Sequence, residues 1–489
     1  MNRTRSLKIL LLIVWLILFG MLLKRDVLID RIDRRELQAL EKADREEFQS
    51  IYFKNKKIGY VKSTYTSRDT GTDDSFALLV DQVAHMRLNI LETIHPIDLH
   101  LQATLNKESR LQDFKLSFQS PFYQMEAEGV VDQGRVSFTL TTNNSVIHDT
   151  IQLDDAPMLS TTRRGYLLRQ DLHVGDKIKV PWFDPISLTG KDSVIEYKGK
   201  EKILIHNRIF NLHRFLEKFN GAGISLWLDD QGRVMKEQSP AGFIFLREAE
   251  FKATKLEDSS DELLSAVAVK VIGKMVPLEG RQSIRYRLHL PDLASYDLDG
   301  GRQSLQGDLL QLTQETIPDQ SSQPKSSPQP PEDTLSATPF IQADHGEITA
   351  LRQSILGEET NQLQQARHLT HWVYTHISKR PVMGLPDALT TLKNRQGDCN
   401  EHAALFAALA RNSGIPTRFV AGVTYHQHRF YYHAWNEVLL KGRWISLDTT
   451  LNQFPADLGH IRFIAGDIKE QMRIGGLLGQ LSIEVVRDE

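Results

Sequence analysis

The chain is long, of ordinary composition and almost neutral. Its 489 residues exceed the size at which one hydrophobic core stops growing, so we expect several domains. A formal net charge of −3 gives no electrostatic reason to bind nucleic acid, and we predict no nucleic-acid partner. The single cysteine, Cys399, excludes an intrachain disulfide and stands as a lone thiol.

The amino terminus predicts a membrane-spanning helix. Residues 9–23 contain no charged side chain, and Lys8 and Lys24 flank them. Such lysines can extend a short apolar segment toward the roughly 20 residues that span a bilayer. A cleaved signal peptide is the main alternative, but no small-residue cleavage pattern follows the segment. We therefore predict an uncleaved anchor over residues 7–23 in a single-pass inner (cytoplasmic) membrane protein, with the C-terminal domains in the periplasm or outside.

Residues 1–48 are predicted to hold this anchor and a charged helical stalk, and residues 49–312 a β-rich region of one or two domains. In the latter, apolar and polar residues alternate, as in Phe114–Phe118 and Val136–Leu140. This period of two is typical of half-buried antiparallel strands. Residues 227–234 predict a hairpin. Since the histidines of the region lack paired ligand spacing, we interpret it as a scaffold or substrate-positioning surface.

Residues 313–339 are rich in proline, serine and glutamine. This composition cannot bury a core and favours a semi-extended linker. The following residues, 340–489, are predicted to form a catalytic domain. Its first strong helix covers residues 363–378, where apolar side chains recur at helical spacing.

A second helix of this domain is predicted to begin at Cys399. Residues 403–410 are apolar on nearly every side, which indicates a central, buried helix, and Gly414 with Pro416 ends it. A thiol is nucleophilic only as thiolate, and the start of a helix favours negative charge. A lone cysteine beside an alanine-rich helix is by itself more often an inert small hydrophobe, and it is the strands that follow that favour a reactive thiol.

The base and its partner are predicted from the next strands. Lys441 and Gly442 lie between two strand-like runs and predict a two-residue hairpin turn. The turn predicts the opposed pairs Leu440 with Arg443, Val438 with Ile445, Trp435 with Asp448, and His433 with Thr450. Side chains alternate with period two, so His433 and Asp448 project to the same face as diagonal neighbours. A base oriented by a carboxylate is what thiol catalysis requires.

Four sequence blocks resemble the core of the transglutaminase-like superfamily. They are Gly397-Asp398-Cys399-Asn400-Glu401-His402-Ala403, Gly414-Ile415-Pro416-Thr417-Arg418, Tyr432-His433-Ala434-Trp435-Asn436-Glu437-Val438 and Trp444-Ile445-Ser446-Leu447-Asp448-Thr449-Thr450. The resemblance implies a papain-like core with Cys399 as nucleophile, His433 as base and Asp448 as the group that orients the histidine. It also implies attack on peptide or side-chain amides through a thioester, with hydrolysis favoured over protein cross-linking.

The predicted fold class is multidomain α+β, with an N-terminal transmembrane helix, a β-rich middle region and a C-terminal papain-like domain. The predicted partners are a protein or peptide substrate and the membrane. No cofactor or metal is expected, and no acidic loop has calcium spacing. Two alternatives of another class are a non-catalytic membrane-anchored scaffold and a zinc-binding module. The zinc ligands would be Cys399, His402, His433 and Asp448.

Overall fold

The alternating residue patterns of the sequence form strands in a computed structural model of the chain. The structure describes residues 46–69, 76–106, 108–159, 167–168, 172–206, 208–219, 222–256, 262–317 and 332–486. The strands are β1 Glu46–Phe53, β2 Lys56–Asp69, β3 Phe76–Ile90, β4 Thr93–Leu105, β5 Leu111–Ser120, β6 Tyr123–Asp132, β7 Arg135–Thr142, β8 Val146–Gln152, β9 Lys177–Asp184, β10 Thr189–Ile205, β11 Arg208–Phe219, β12 Ala222–Leu228, β13 Val234–Gln238, β14 Phe243–Arg247, β15 Lys270–Ile272, β16 Ser283–His289, β17 Gln303–Gln306, β18 Leu309–Thr313, β19 Ser378–Lys379, β20 Gln396–Gly397, β21 Thr417–His426, β22 Arg429–Leu440, β23 Arg443–Leu447, β24 His460–Gly466 and β25 Ser482–Val486. The α-helices are α1 Glu250–Ala253, α2 Leu263–Val267, α3 Gly346–Leu356, α4 Gln362–His376, α5 Ala388–Asn394 and α6 Cys399–Asn412, and two 3-10 helices cover Glu332–Thr334 and Ile468–Gly476.

Fourteen strands form one antiparallel sheet in the order β8-β7-β6-β5-β4-β3-β2-β1-β14-β13-β12-β11-β10-β9. Neighbouring strands in this order are mostly consecutive in the chain, so hairpins account for most of the pairing. The long-range exception is β1 with β14, where Ile51 lies opposite Phe245. This pairing joins two series of hairpins into a single sheet. The sheet also curls, as shown by Gly190 on β10, which lies close to Ile151 and Leu153 at the other end of the strand order.

The predicted fold class is wrong. The described residues are mostly strand, and the fourteen-stranded antiparallel sheet dominates them, so the α+β description does not hold. Within the described ranges every helix is too short or too polar to span a bilayer. The predicted transmembrane segment, residues 7–23, lies outside the described residues. Alternation predicted strands correctly but does not encode which distant strands pair, and the pairing of β1 with β14 built the unexpected sheet.

The large sheet and the C-terminal helices share one hydrophobic core. Phe114 and Leu140 on the sheet belong to the same buried cluster as the alanine-rich body of α6. Polar contacts fix the same interface: Ser120 Oγ donates to the carbonyl of Met383 at 3.0 Å, and Ser145 Oγ donates to Asp387 Oδ2 at 3.0 Å. The β-rich region therefore packs directly against the unit that carries Cys399.

A four-stranded antiparallel sheet, in the order β23-β22-β21-β24, lies against α6. The register predicted at the Lys441-Gly442 turn is present: Leu440 pairs with Arg443 and Val438 with Ile445. Gly414, just past the end of α6, has a φ of 73°, a left-handed conformation that suits glycine as a helix terminator. Helix α6 and strand β22 thus bring Cys399 and His433 into one layered unit.

A five-stranded sheet contains strands from both sides of the predicted linker. Its order is β15-β25-β16-β18-β17, so the last strand of the chain inserts between strands of residues 270–289. Tyr286, Phe430 and Ile483 belong to its buried cluster. The cluster joins this sheet to the four-stranded one. The domain boundaries proposed from the sequence stay predictions.

Candidate active site

Cys399 is the first residue of α6, and its neighbours fix the start of that helix. Asp398 Oδ1 accepts a hydrogen bond from the Asn400 amide at 2.8 Å, and Glu401 Oε2 accepts one from the Asp398 amide at 2.8 Å. This reciprocal pair is a capping box. A Cβ atom on Gly397 would lie 2.3 Å from Cβ of Glu401, so glycine is required there.

The surroundings of Cys399 keep its thiol neutral. Burial raises the pKa of this thiol well above its usual value, and the charge of Asp398 raises it further. A hydrogen bond from the backbone of Ala434 acts in the opposite direction. The helix start alone does not produce a thiolate, contrary to the expectation from sequence, because burial outweighs it. The same hydrogen bond places Sγ beside the residue that follows His433.

His433 is bonded to Asp448, as the sequence predicted. Nε2 of His433 lies 2.8 Å from Oδ2 of Asp448, and the carboxylate is fully buried. Burial alone would raise the pKa of Asp448, but the charge and hydrogen bond of His433, with those of His460, hold it well below its ordinary value. The carboxylate is therefore ionised, and Nδ1 remains as the ring nitrogen of His433 for proton transfer.

Asp448 reaches His433 by leaving the ladder. The pairing of β22 with β23 ends at Asn436 and Leu447, one residue before Asp448. Asp448 instead exchanges two backbone hydrogen bonds of 2.9 Å with Gln453. Its Oδ1 accepts from the amides of Thr450 and Leu451 at 2.7 and 3.1 Å. The predicted ladder pairs beyond Asn436, Trp435 with Asp448 and His433 with Thr450, are thus replaced by a turn that holds the carboxylate.

Sequence reasoning missed a second histidine in the site, His460. Its Nε2 lies 3.0 Å from Asp448 Oδ2, and its Nδ1 lies 2.9 Å from Asp457 Oδ1. The side chain is completely buried. Burial disfavours its charged form, but the hydrogen bonds to Asp448 and Asp457 raise its pKa above the usual value. The spacing of Asp457 and His460, at the start of the apolar strand β24, is the signal in the sequence that could have indicated this pair.

Arg302, far upstream in the chain, holds the segment that carries Asp457 and His460. Its guanidinium donates to the carbonyls of Ala456, Asp457 and His460 at 2.6, 2.5 and 2.7 Å. Glu315 accepts from the Ser446 amide at 3.1 Å on the strand that leads to Asp448. Both side chains are almost completely buried. No local pattern marks these two residues, because their partners lie more than a hundred positions away.

The zinc alternative requires a different set of residues from the one that the structure brings together. His433, Asp448 and His460 have potential ligand atoms within 4.8 Å of one another. His402 is not part of this group, and its Nδ1 lies 2.7 Å from the carbonyl of Asp398, the N-cap of its own helix. Both histidines of the group already direct Nε2 at the same carboxylate oxygen, so hydrogen bonding accounts for their arrangement.

The sequence model of the transglutaminase-like superfamily matches residues 349–449, which include Cys399, His433 and Asp448. An uncharacterized protein of Haemophilus influenzae is 35% identical over 94 residues, which are 18% of this chain and 25% of that protein. The chain therefore matches about a quarter of the length of this relative.

Two solved structures are similar to parts of the chain. A candidate cysteine protease from Cytophaga hutchinsonii is 18% identical and covers 41% of this chain and 83% of its own, with a TM-score of 0.27. A candidate protease from Parabacteroides distasonis is 10% identical and covers 71% of this chain and 68% of its own, with a TM-score of 0.20. The match of the superfamily model, which coincides with α3 to β23, identifies residues 349–449 as a transglutaminase-like domain.

Proposed function

We propose that this protein is a cysteine-dependent hydrolase of peptide or side-chain amides. Cys399 is the nucleophile, His433 the base and Asp448 the group that orients the histidine. The observation that carries the proposal is the 2.8 Å bond between His433 Nε2 and the buried Asp448, beside a thiol at the start of α6. A thiol, an imidazole and an ionised carboxylate in this order are the groups that acyl transfer needs.

The first half-reaction starts from a neutral thiol. His433 Nδ1 takes the proton of Cys399 as Sγ attacks the amide carbonyl, and a tetrahedral intermediate forms. The backbone N–H of Cys399, at the helix start, is a donor for the oxyanion. The imidazolium then gives its proton to the departing amine, the C–N bond breaks, and a thioester remains. Asp448 stabilises the imidazolium between these two proton transfers.

The second half-reaction consumes water. His433 takes a proton from water, the oxygen attacks the thioester, and the carbon–sulfur bond breaks with return of the proton to Cys399. The sum is amide plus water giving carboxylic acid plus amine. A groove of about 580 Å³, lined by His433 and by exposed residues such as Leu91 and Leu451, gives water access to this histidine. An amine in place of water would make the protein a cross-linking acyltransferase.

The purified chain tests the proposal with two readouts. The first is release of amines or ammonia from a mixed peptide library, and the second is incorporation of a dansyl-labelled primary amine into the same peptides. We expect amine release that is lost in Cys399→Ala and strongly reduced in His433→Ala, with little amine incorporation. Incorporation that outpaces release would instead identify the cross-linking activity. Full release by Cys399→Ala would overturn the assignment of the nucleophile.

A further inference from the structure

The groove beside His433 is built from two distant parts of the chain. Strand β23 pairs with β22 only from Asn436 to Leu440. Further along β22, Val269 donates its amide to the carbonyl of Phe430 at 2.9 Å. The segment that contains α2 therefore runs beside the part of β22 that carries His433, and the β-rich region supplies one wall of the groove.

The turn between β3 and β4 completes this wall. Asn89 forms a bridge with Glu262, and Glu262 Oε1 accepts from the Leu91 amide at 3.2 Å. The groove is lined by Leu91, Glu92, Glu262, Leu264, Ser265, Val267, Thr424, His426, Gln427, Tyr431, Tyr432, His433 and Leu451. It thus lies between the upstream turn, α2 and the face of the four-stranded sheet that carries His433.

The wall presents apolar side chains to solvent. Leu91, Leu264 and Leu451 are 61%, 38% and 37% exposed. Isolated exposed leucines need no explanation, but three around one groove with Val267 and two tyrosines make an apolar surface that a ligand can cover. The groove therefore suits an apolar side chain of a substrate.

The charge of the groove is negative. Glu92 and Glu262 line it, and none of its described lining residues is lysine or arginine. Hydrogen bonds from Leu264 and Ser265 help hold the pKa of Glu262 below its usual value despite partial burial, so this carboxylate is ionised at neutral pH. Arg429 donates to the carbonyl of Ser265 at 3.3 Å but lies at the edge of the groove and outside its lining, so the negative charge of Glu92 and Glu262 dominates within the groove. The surface therefore complements a cationic group.

The conformation of the β3–β4 turn gives an independent reason to assign a role to its side chains. Leu91 and Glu92 both have positive φ, 50° and 62°. A two-residue turn of this kind favours Asn-Gly, because most other residues are strained there. Three comparable turns end in asparagine or glycine, at Lys54-Asn55, Gln133-Gly134 and Lys441-Gly442, whereas Gln427-His428, with φ of 46° and 69°, lacks both residue types and also borders the groove through Gln427. Local strain at a position that lines a site is a reason to look for function.

We propose that this groove binds an extended peptide in which an apolar side chain neighbours a lysine or arginine side chain, and that Leu91 and Glu92 of the β-rich region select it. The proposal rests on the proposed function, because it names the substrate class of that site. It assigns the fourteen-stranded region a direct part in substrate recognition. An acidic peptide would meet Glu92 and Glu262 and is expected to bind weakly.

Binding is measured in the Cys399→Ala background, so that turnover does not intervene. The probes are two fluorescein-labelled peptides of equal length, one with a central Leu-Lys and the other with a central Leu-Glu. We expect tighter binding of the Leu-Lys peptide. Exchange of both turn residues, Leu91→Asn with Glu92→Gly, is expected to weaken it about tenfold or more, the change that corresponds to 1.4 kcal/mol. Equal binding by the parent and this turn variant would contradict the proposal.

The turn variant is chosen because Asn-Gly relieves the backbone strain, so its melting temperature is expected to stay or rise. Gln133→Asn is the matched control, since it completes an Asn-Gly turn between β6 and β7, far from the groove. It is expected to leave peptide binding unchanged. Should the turn variant fail to fold, Glu92→Lys replaces it and is expected to reverse the preference toward the Leu-Glu peptide. Retention of the Leu-Lys preference in Glu92→Lys would also contradict the proposal.

Turnover of the same two peptides by the parent chain separates this proposal from the proposed function. Selective binding without turnover would support the assignment of the groove and contradict the proposed hydrolase activity. Equal turnover of both peptides, unaffected by the turn variant, would leave the hydrolase standing and remove the groove assignment. The expected result is selective binding and selective turnover, both reduced in the turn variant.

Discussion

Nε2 of His460 lies 3.0 Å from Oδ2 of Asp448, the same oxygen that bonds His433. One carboxylate oxygen thus bonds two histidines, and the backbone of Ala434, next to His433 in the chain, bonds the thiol of Cys399. His460 is fully buried and held from its other side by Asp457. Under the proposed function, His460 is a positioning residue that fixes the carboxylate, and His433 is the base.

Replacement of His460 by glutamine is expected to lower kcat and leave KM nearly unchanged, because His460 orients Asp448 and lies behind it. Stability should also fall, in a pH-dependent way. The folded-state pKa of His460 is raised, so its stabilisation is full below the unfolded pKa of roughly 6.5 and is lost as pH rises through the folded value. Thermal unfolding of parent and variant from pH 5 to 9 measures this.

Protonation of the carboxylates that bond His460 limits its stabilising effect at low pH. The pKa values of Asp448 and Asp457 are lowered against burial by hydrogen bonds to the histidines, so their stabilisation is lost as pH falls below roughly 3.9. The difference between parent and His460→Gln should thus be largest near pH 5 to 6. His148→Gln, an exposed change on the large sheet, is the control. A difference that grows toward pH 9 would contradict the assigned charge state.

Asp448→Asn is expected to lower turnover about 10³-fold or more, since an amide cannot stabilise the imidazolium. The loss should be smaller than in Cys399→Ala. Because two histidines bond the same oxygen, the exchange should also cost about 2 kcal/mol of unfolding free energy. Steady-state kinetics and urea unfolding of the variant measure the two effects. Turnover within a factor of a few of the parent would remove Asp448 from the mechanism.

Alkylation of Cys399 by iodoacetamide should be slow at neutral pH and should accelerate as pH rises, because burial and the charge of Asp398 raise the thiol pKa. The single cysteine makes the reaction specific for this site. His433→Ala should slow it at every pH below the thiol pKa. A parent rate that is already maximal at pH 6 would show that the resting thiol is ionised.

The effect of Asp398 on the pH dependence of Cys399 alkylation can be tested against a matched control variant. Asp398→Asn removes a negative charge beside the thiol and should shift the alkylation profile to lower pH. Asp387→Asn alters the equivalent N-cap of α5, where Asp387 accepts from Leu389 and Thr390, without changing the charge next to Cys399. It should leave the profile in place. Since asparagine keeps either helix cap, equal shifts in both variants would show that the negative charge beside Cys399 does not set the thiol pKa.

Arg302→Met is expected to reduce kcat and to destabilise the fold by about 3 to 5 kcal/mol, because it leaves Glu315 as an uncompensated buried charge and frees the carbonyls of residues 456–460. Arg287→Met is the control, since Arg287 is 40% exposed in its side chain and bonds Glu484 at a surface. Kinetics and chemical unfolding of both variants test the difference. Similar losses of kcat and of unfolding free energy in the two variants would show that the contacts of Arg302 with residues 456–460 do not support the site.

Metal analysis of the purified chain is expected to give far less than stoichiometric zinc. His433 and His460 already direct Nε2 at Asp448, so the site is satisfied by hydrogen bonds. Stoichiometric zinc that is lost in both His433→Ala and His460→Ala would contradict this and would indicate a zinc site of His433, Asp448 and His460, a different set from the one predicted from the sequence. The same preparation dialysed against a chelator should keep its full turnover.

The sequence by itself determined the features that depend on neighbouring residues. Residues 398–401 form the capping box that starts α6, and the Lys441-Gly442 turn determines the register of β22 with β23. Such features are local because a hydrogen-bonded turn or a helix end involves only a few consecutive positions. The count of residues also predicted that His433 and Asp448 lie close together, although the strand pairs that it predicted beyond Asn436 are replaced by the turn at Asp448.

Only the tertiary structure decided the contacts between distant parts of the chain. Strand β1 pairs with β14, Arg302 bonds the carbonyl of His460, and the Leu91 turn lines the groove beside His433. The number of possible partners for a strand edge or a buried charge grows with the length of the chain, and no periodicity selects among them. Burial and shape complementarity in the folded core make that selection.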